Sequence, residues 1–350
     1  AVVATAGEPG AGNPSGQEGN RYTNWYEQGH AGSYCSTAAE IGVTTSNSPE
    51  RKIYAYYHFY TSGSSTRQVA SDFSLGGTNF PVQAWVGQSM IFSPDNSRLW
   101  VGNELGGMCL YRNPLTANGD RAPDLQLHID GTQWCSMWYE AQADILYATT
   151  MNTQFIHAWD NASVGTANRA PDRSIEVARY HGQGYLTGAP GSGVLFMATQ
   201  LYPYPTSERM LTFQNAAELD GFHAADNYWV PQDFKAVNAH ALSWDQGRDL
   251  LYIGVPNLNQ VHVYAEASTR DGVEAAVAPA RIITINYPGM ATNDWISGVI
   301  VLPEQDLLIV SMFQGQTMVF TGASGLQGTP EPAKREQLGT MALGLGVFKQ

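Results

Sequence analysis

The sequence predicts an all-β fold, a six-bladed β-propeller whose ring is closed by strands from both chain ends. Three observations predict it: a phrase that recurs about every 50 residues, four strand-like segments within each recurrence, and a composition poor in charge and rich in turn formers. A period of ~40–50 residues with four strands per unit is the sequence signature of propeller blades. A lone four-stranded sheet leaves both faces in water. Packing such sheets face to face around an axis buries them.

The recurring phrase is an aromatic strand, a polar turn, a proline and an alternating strand. It reads LYRNPLTANGDRAPDLQLHI (110–129), AWDNASVGTANRAPDRSIEV (158–177), VYAEASTRDGVEAAVAPARIITI (263–285) and VFTGASGLQGTPEPAKREQL (319–338). A diverged copy runs from Leu211 to Lys235, with Pro231 taken as its proline, and IYAYYHFYTSGSSTRQVASDF (53–73) is a copy without one. The prolines are then Pro123, Pro171, Pro231, Pro279 and Pro332. A proline at the start of an outermost strand is tolerated because the missing N–H faces solvent. Ahead of each copy stands a short apolar strand: SRLWVG (97–102), DILYAT (144–149), GVLFMAT (193–199), DLLYIG (249–254) or DLLIVS (306–311). Upstream again come SMIFS (89–93), SMWYE (136–140), HALSW (240–244) and SGVIVL (297–302). Their period-2 alternation supports the strand assignment.

The stretch 339–348 (GTMALGLGVF) reads as an innermost strand. The rest of its sheet is expected from the N-terminal part, from EIGVTTS (40–46) and IYAYYHFY (53–60). Six blades follow, or seven if residues 21–50 hold further strands. Residues 1–20 are small, polar and Gly/Pro-rich, and read as a flexible segment ahead of a single propeller domain over 21–350.

Charged residues make up 14% of the chain, against an average near ~25%, while Gly (36) and Tyr (18) are frequent. The net charge is −13, which disfavours phosphate backbones and so nucleic acid as a partner. No apolar run is long enough for a transmembrane segment. The start at Ala1 without Met suits a mature chain after removal of a signal peptide, so a secreted or periplasmic location is expected. Cys35, Cys109 and Cys135 fit one disulfide plus one thiol, with three pairings open.

The phrase N-x-x-T-A-N-G-D-R-A-P followed by an alternating strand resembles the blade repeat of secreted bacterial propellers of the broad NHL, YVTN and gluconolactonase-like grouping, over most of residues 50–350. That resemblance implies the fold. The grouping holds lactonases, lyases and pure binding proteins, so it does not choose an activity.

In a propeller, the loops from outer to next inner strand, and from second to third strand, ring the channel mouth, where ligands bind. Here those loops carry amides and aromatics: Trp85, Gln88, Gln133, Trp134, Tyr180, Gln183, Asn238, Asn293 and Trp295. Amides beside aromatics suit polyol recognition, because each hydroxyl both donates and accepts. Trp134 and Trp295 recur in QWCS and DWIS, which suits either repeated packing between blades or an aromatic platform. His181, His240 and Asp294 come from three successive loops, and could hold a divalent metal or simply brace turns. No cofactor is otherwise implied. The sequon at Asn161-Ala162-Ser163 falls in a turn. The sequence lacks the G-x-S-x-G, P-loop, dinucleotide and H-E-x-x-H motifs. The expected function is a non-catalytic binding or scaffolding propeller recognising a protein partner or glycan. Two alternatives stand beside it: a metal-dependent, lactonase-like hydrolase or lyase, and a structural subunit of a surface assembly.

Overall fold

A computed structural model describes residues 2–7, 52–56, 73–76, 86–103, 107–116, 119–128, 134–150, 153–177, 184–199, 209–232, 241–292, 294–314, 316–337 and 342–348. Among them the only helical pieces are single 3-10 turns, and the strands form an all-β propeller. No helix among the described residues is long and apolar enough to cross a membrane.

Five blades are contiguous in sequence, each an antiparallel sheet running from an inner to an outer strand. The first holds β4 (Val86–Phe92), β5 (Arg98–Asn103), β6 (Gly107–Arg112) and β7 (Leu125–Leu127). The second holds β8 (Trp134–Glu140), β9 (Ile145–Thr150), β10 (Phe155–Trp159) and β11 (Arg173–Val177). The third holds β12 (Gly184–Gly188), β13 (Leu195–Thr199), β14 (Arg209–Phe213) and β16 (Asn227–Pro231). The fourth holds β17 (Leu242–Asp245), β18 (Leu250–Val255), β19 (Gln260–Ala265) and β21 (Arg281–Thr284). The fifth holds β22 (Ile296–Leu302), β23 (Leu307–Met312), β24 (Gln316–Thr321) and β25 (Lys334–Gln337).

A further sheet joins both chain ends in the order β26 (Ala342–Phe348), β1 (Val2–Gly7), β2 (Lys52–Tyr56), β3 (Phe73–Gly76). β26 pairs antiparallel with β1 and lies beside the inner strands β22 and β4. Two expectations change here. Val2–Gly7 is a strand, not part of a loose tail: its alternating VVATA run has a pairing strand on each side, which saturates its ladder. It also takes the second place in the sheet that 40–46 was expected to fill. The blade count also differs: five blades are found among the described residues where six, or seven, were expected, and residues 8–51 lie outside those described.

The core sits in the seams between blades. Trp100, Met108 and Leu110 of the first blade meet Tyr139, Leu146 and Trp159 of the second. Tyr147, Ile156 and Ile175 of the second meet Leu195, Leu211 and Phe213 of the third. Phe196, Met210 and Trp229 of the third meet Leu251, Ile253 and Tyr264 of the fourth. Tyr252, Val261 and Ile283 of the fourth meet Leu308, Val310 and Phe320 of the fifth. Both faces of a central blade are therefore covered, which is why its middle strands read as continuous apolar runs.

The repeated turn has a physical basis. Pro123, Pro171, Pro279 and Pro332 each stand two residues before an outer strand. Pro231 does not: it ends β16, and the equivalent position is Ala225. With Ala225 in its place, the spacing is even on both sides (225 − 171 = 54 and 279 − 225 = 54). The next residue is an aspartate in three copies. Asp124, Asp172 and Asp226 accept the backbone N–H of Arg112, Asp160 and Gln214 at 2.7, 2.8 and 2.7 Å, closing the turn that precedes the outer strand.

A second clasp joins the first hairpin of a blade to the end of its third strand. Asp144, Asp249 and Asp306 all sit at positive φ (53°, 48° and 51°), a region open to Asp because its short side chain bonds locally. Each carboxylate takes the backbone N–H and hydroxyl of one serine. The N–H distances are 3.1, 3.0 and 2.8 Å, and the hydroxyl distances 2.8, 2.9 and 3.0 Å, for Ser163, Ser268 and Ser324 in turn. The alanine before each serine, Ala162, Ala267 or Ala323, is fully buried. Asn161-Ala162-Ser163 is thus one of three structural copies, beside Glu266-Ala267-Ser268 and Gly322-Ala323-Ser324, and Ser163 is buried with its hydroxyl engaged. Asp249→Ala also strips the acceptor of Trp244 Nε1 (2.9 Å). It is expected to cost about 2 kcal/mol in a denaturant titration, because buried donors are left unpaired.

The blades are also latched edge to edge, a feature the sequence did not announce. The connection from third to outer strand reaches back to the preceding blade. β15 (Gly221–His223) pairs parallel with β11, and β20 (Val273–Val277) pairs parallel with β16. Shorter versions are Asn168 N–H to Gln126 O (2.8 Å) and Gly328 N–H to Ile282 O (2.8 Å). Arginines reinforce them: Arg112 donates to Ser163 O at 2.7 Å, and Arg173 to Leu219 O at 2.8 Å. An outer edge that is already paired is no template for stray strands.

Candidate functional site

The mouth face is where the second strand of a blade passes to its third, and where its outer strand passes to the next inner strand. Irregular pairing concentrates there. The register shifts at the mouth end of the inner strand in four sheets, between Val86 and Met90, between Trp134 and Ser136, between Ile296 and Gly298, and where β26 meets Ala6 and Gly7. A bulge re-aims a side chain and bends the strand, and bulges gather beside sites. In the second and fifth blades the bulged residues are Cys135 and Ser297. Ser297 is buried, with its hydroxyl 3.1 Å from that of Ser311.

These bulges expose a one-residue offset in the apparent QWCS/DWIS match. Trp134 pairs with Thr150, six residues after the turn residue Asp144. The residue paired six after Asp306 is Met312, and its partner is Ile296, not Trp295. Trp295 instead receives the N–H of Phe313 (2.8 Å). A shift of one residue turns a strand's side chains to its other face, so the two tryptophans occupy different surroundings. Trp134 is 3% exposed, among Trp159, His157 and His128. Trp295 is 7% exposed and stacked on Phe313 at 4.7 Å and 17°. Both rings are packed, and neither presents a face as an open platform.

Asp294 is the anchor of the fifth blade's mouth. It is 3% exposed, and one carboxylate oxygen accepts the backbone N–H of Trp295 (3.0 Å) and of Gln314 (2.9 Å). The other accepts the hydroxyl of Tyr287. One side chain therefore ties the loop entering β22 to the loop between β23 and β24. Burial raises its pKa above the usual carboxylate value, while these three donors pull the other way. Burial also pushes the Tyr287 phenol up, and the Arg335 guanidinium lies over its ring at 5.3 Å. Tyr287 and Phe313 were not singled out in the sequence. Tyr287 and Phe313 look like ordinary core aromatics there, and only the fold brings them to Asp294.

Of the other expected site residues, Gln88 lies in β4. Trp85, Gln133, Tyr180, His181, Gln183, Asn238, His240 and Asn293 lie outside the described residues. Asp294, the described member of the proposed His181–His240–Asp294 set, accepts hydrogen bonds from three donors. Among the described residues there is no group of three or more His, Cys, Asp or Glu able to hold a metal. Cys109 is a buried free thiol whose pKa burial pushes up to about 12, which suits a small core residue rather than a nucleophile. With Cys109 free, Cys35 with Cys135 is the one pairing left open.

No family model matches this chain, and no curated protein matches it. The resemblance to the NHL, YVTN and gluconolactonase-like grouping therefore stands at the level of the propeller fold.

Proposed function

We propose that this protein is a non-catalytic binding or scaffolding propeller, exported to the periplasm or the cell exterior, that recognises a glycan or a protein partner on its mouth face. We infer further that the sheet β26–β1–β2–β3 is a sixth blade, closing the ring with strands from both ends. One observation carries the functional reading: the mouth end is the irregular end of an otherwise regular scaffold, with register shifts in four sheets and one buried carboxylate cross-tying two of its loops. Preorganised loops on rigid strands are what a binding surface needs, since less ordering entropy is lost on association.

The test is calorimetric titration with a panel of neutral and acidic soluble oligosaccharides, on wild type and on Trp85→Ala, Tyr180→Ala and Gln183→Ala. The reading predicts saturable binding of one class, weakened at least about tenfold (~1.4 kcal/mol) by one of these changes, with melting unaltered. A stoichiometric divalent ion in the purified protein, lost together with a hydrolytic activity in His240→Ala, would contradict it in favour of the metal-dependent hydrolase.

A further inference from the structure

The sheet that joins the chain ends is connected differently from the five contiguous blades. In those blades the second strand passes to the third through a short loop, from 104–106 in the first blade to 200–208 in the third. β1 and β2 fill the same two places in the terminal sheet, yet 44 residues separate them (52 − 7 − 1 = 44). The other neighbour of β1 is β26, at the far end of the sequence. β1 is thus held in its slot by backbone pairing on both sides, Val3–Ala6 against Ile53–Tyr56 and Val2–Gly7 against Ala342–Phe348. No short turn fixes it to either partner. Val2–Gly7 carries no charge and no proline, so nothing in it opposes a central place in a sheet.

A strand held this way is exchangeable. With β1 out, the slot between β26 and β2 offers two unpaired ladder edges, and an unpaired edge is a template for another strand. The β1 strand of a second copy makes the same backbone bonds in the same register, because it is the same strand. Those bonds cancel in the comparison, and only the tether favours a chain's own strand. A tether acts as an effective concentration, on the order of millimolar for a short flexible linker and lower as the linker lengthens. Fully extended, 44 residues reach about 150 Å, enough to place β1 in a neighbouring molecule.

We propose that the slot between β26 and β2 is an acceptor site for the β1 strand of a second copy of this chain. Two copies that exchange β1 reciprocally fill both slots and close as a two-fold dimer. What the slot recognises is a short, uncharged, extended segment, read through its backbone groups in antiparallel register on both edges. Dilute protein keeps its own strand, and a high local concentration of copies shifts the balance toward exchange. The slot does not involve the mouth face, so it stands or falls apart from the binding reading.

The test divides one cross-strand pair between two full-length chains, both without the native cysteines. One chain carries Ala4→Cys and the other, marked by 15N labelling, carries Gly346→Cys; the two positions are opposite in the β1–β26 register. The chains are mixed at about 10 μM and at about 1 mM, either side of the regime where a second copy competes with the tethered strand. They are held in sub-denaturing urea so that β1 can leave, returned to buffer and oxidised. Peptide mapping is expected to find position 4 linked to position 346 across chains, at least about tenfold more in the concentrated sample. Thr5→Cys with Leu345→Cys, the next opposite pair, repeats the experiment where a first variant does not fold. Gln260→Cys and Thr284→Cys on separate chains are the control: β19 and β21 belong to one contiguous blade, and no linkage between chains is expected. Folded chains that give no β1–β26 linkage at the higher concentration, or a control that links as strongly, would overturn the proposal.

Discussion

Trp229→Ala is expected to cost about 3–5 kcal/mol, the range for deleting a large aromatic from a packed core. Trp229 is fully buried on the outer strand β16, and its contacts cross a seam. Its ring centroid lies 4.7 Å from that of Tyr264 in the fourth blade, and the Arg270 guanidinium sits 5.8 Å above it. Deletion therefore removes surface from two blades at once, and neither sheet can collapse into the gap without breaking its latch. Trp229→Phe separates packing from polarity. The indole N–H has no acceptor among the described residues, so phenylalanine loses no hydrogen bond and is expected to cost about 1–2 kcal/mol, for the smaller ring alone. Urea titrations of both variants decide it. Equal losses would mean that the indole N–H, rather than ring volume, matters at this seam.

Gly107→Ala is expected to cost at least about 3 kcal/mol, because two independent penalties coincide. Gly107 has φ 83°, which strains any residue with a Cβ. A Cβ there would also stand 2.1 Å from the Leu127 carbonyl oxygen and 2.8 Å from His128 Cβ. The obstacle is backbone of the neighbouring strand, which cannot turn aside as a side chain could. Gly119 supplies the control: its φ is 80°, but nothing lies within 4 Å of where its Cβ would stand. Gly119→Ala should show the conformational penalty alone, about 1–2 kcal/mol. If the two alanines cost the same, the close approach of β7 to the β5–β6 hairpin is not as described.

Much of the fold was legible because blade packing imposes the same demands five times. Apolar runs such as DLLYIG and DLLIVS announce strands buried on both faces, and they became β18 and β23. The Asp–Ser clasp was not read from the sequence, where Asn161-Ala162-Ser163 looked like a sequon, although the Ser163 hydroxyl is bonded to Asp144. What misled was local resemblance without register. Pro231 looked like a copy of the turn proline, yet the backbone places Ala225 there. QWCS and DWIS looked aligned, yet a bulge separates them by one residue. Gly and Pro beyond Gly7 hid a six-residue strand that needs partners from 47 and 335 residues away to be stable (53 − 6 and 342 − 7, for the nearest paired residues). The site was less legible because its described parts, Asp294 with Tyr287 and Trp134 with two histidines, depend on contacts between loops and between blades. No single stretch of sequence encodes those.

The ring itself is tested most directly at the junction of the two chain ends. Ala4 and Gly346 are opposite partners on β1 and β26. Antiparallel partners lie about 4.5–5.5 Å apart at Cα, within the ~4.4–6.8 Å that a disulfide spans. Ala4→Cys with Gly346→Cys, in a background without the native cysteines, should oxidise to link the N- and C-terminal peptides within one chain, as Gln260→Cys with Thr284→Cys should link β19 to β21. Mass spectrometry of the oxidised digest reads both. Linkage at Ala4 and Gly346 is the predicted result; a linked control with free thiols at the chain ends would contradict closure of the ring.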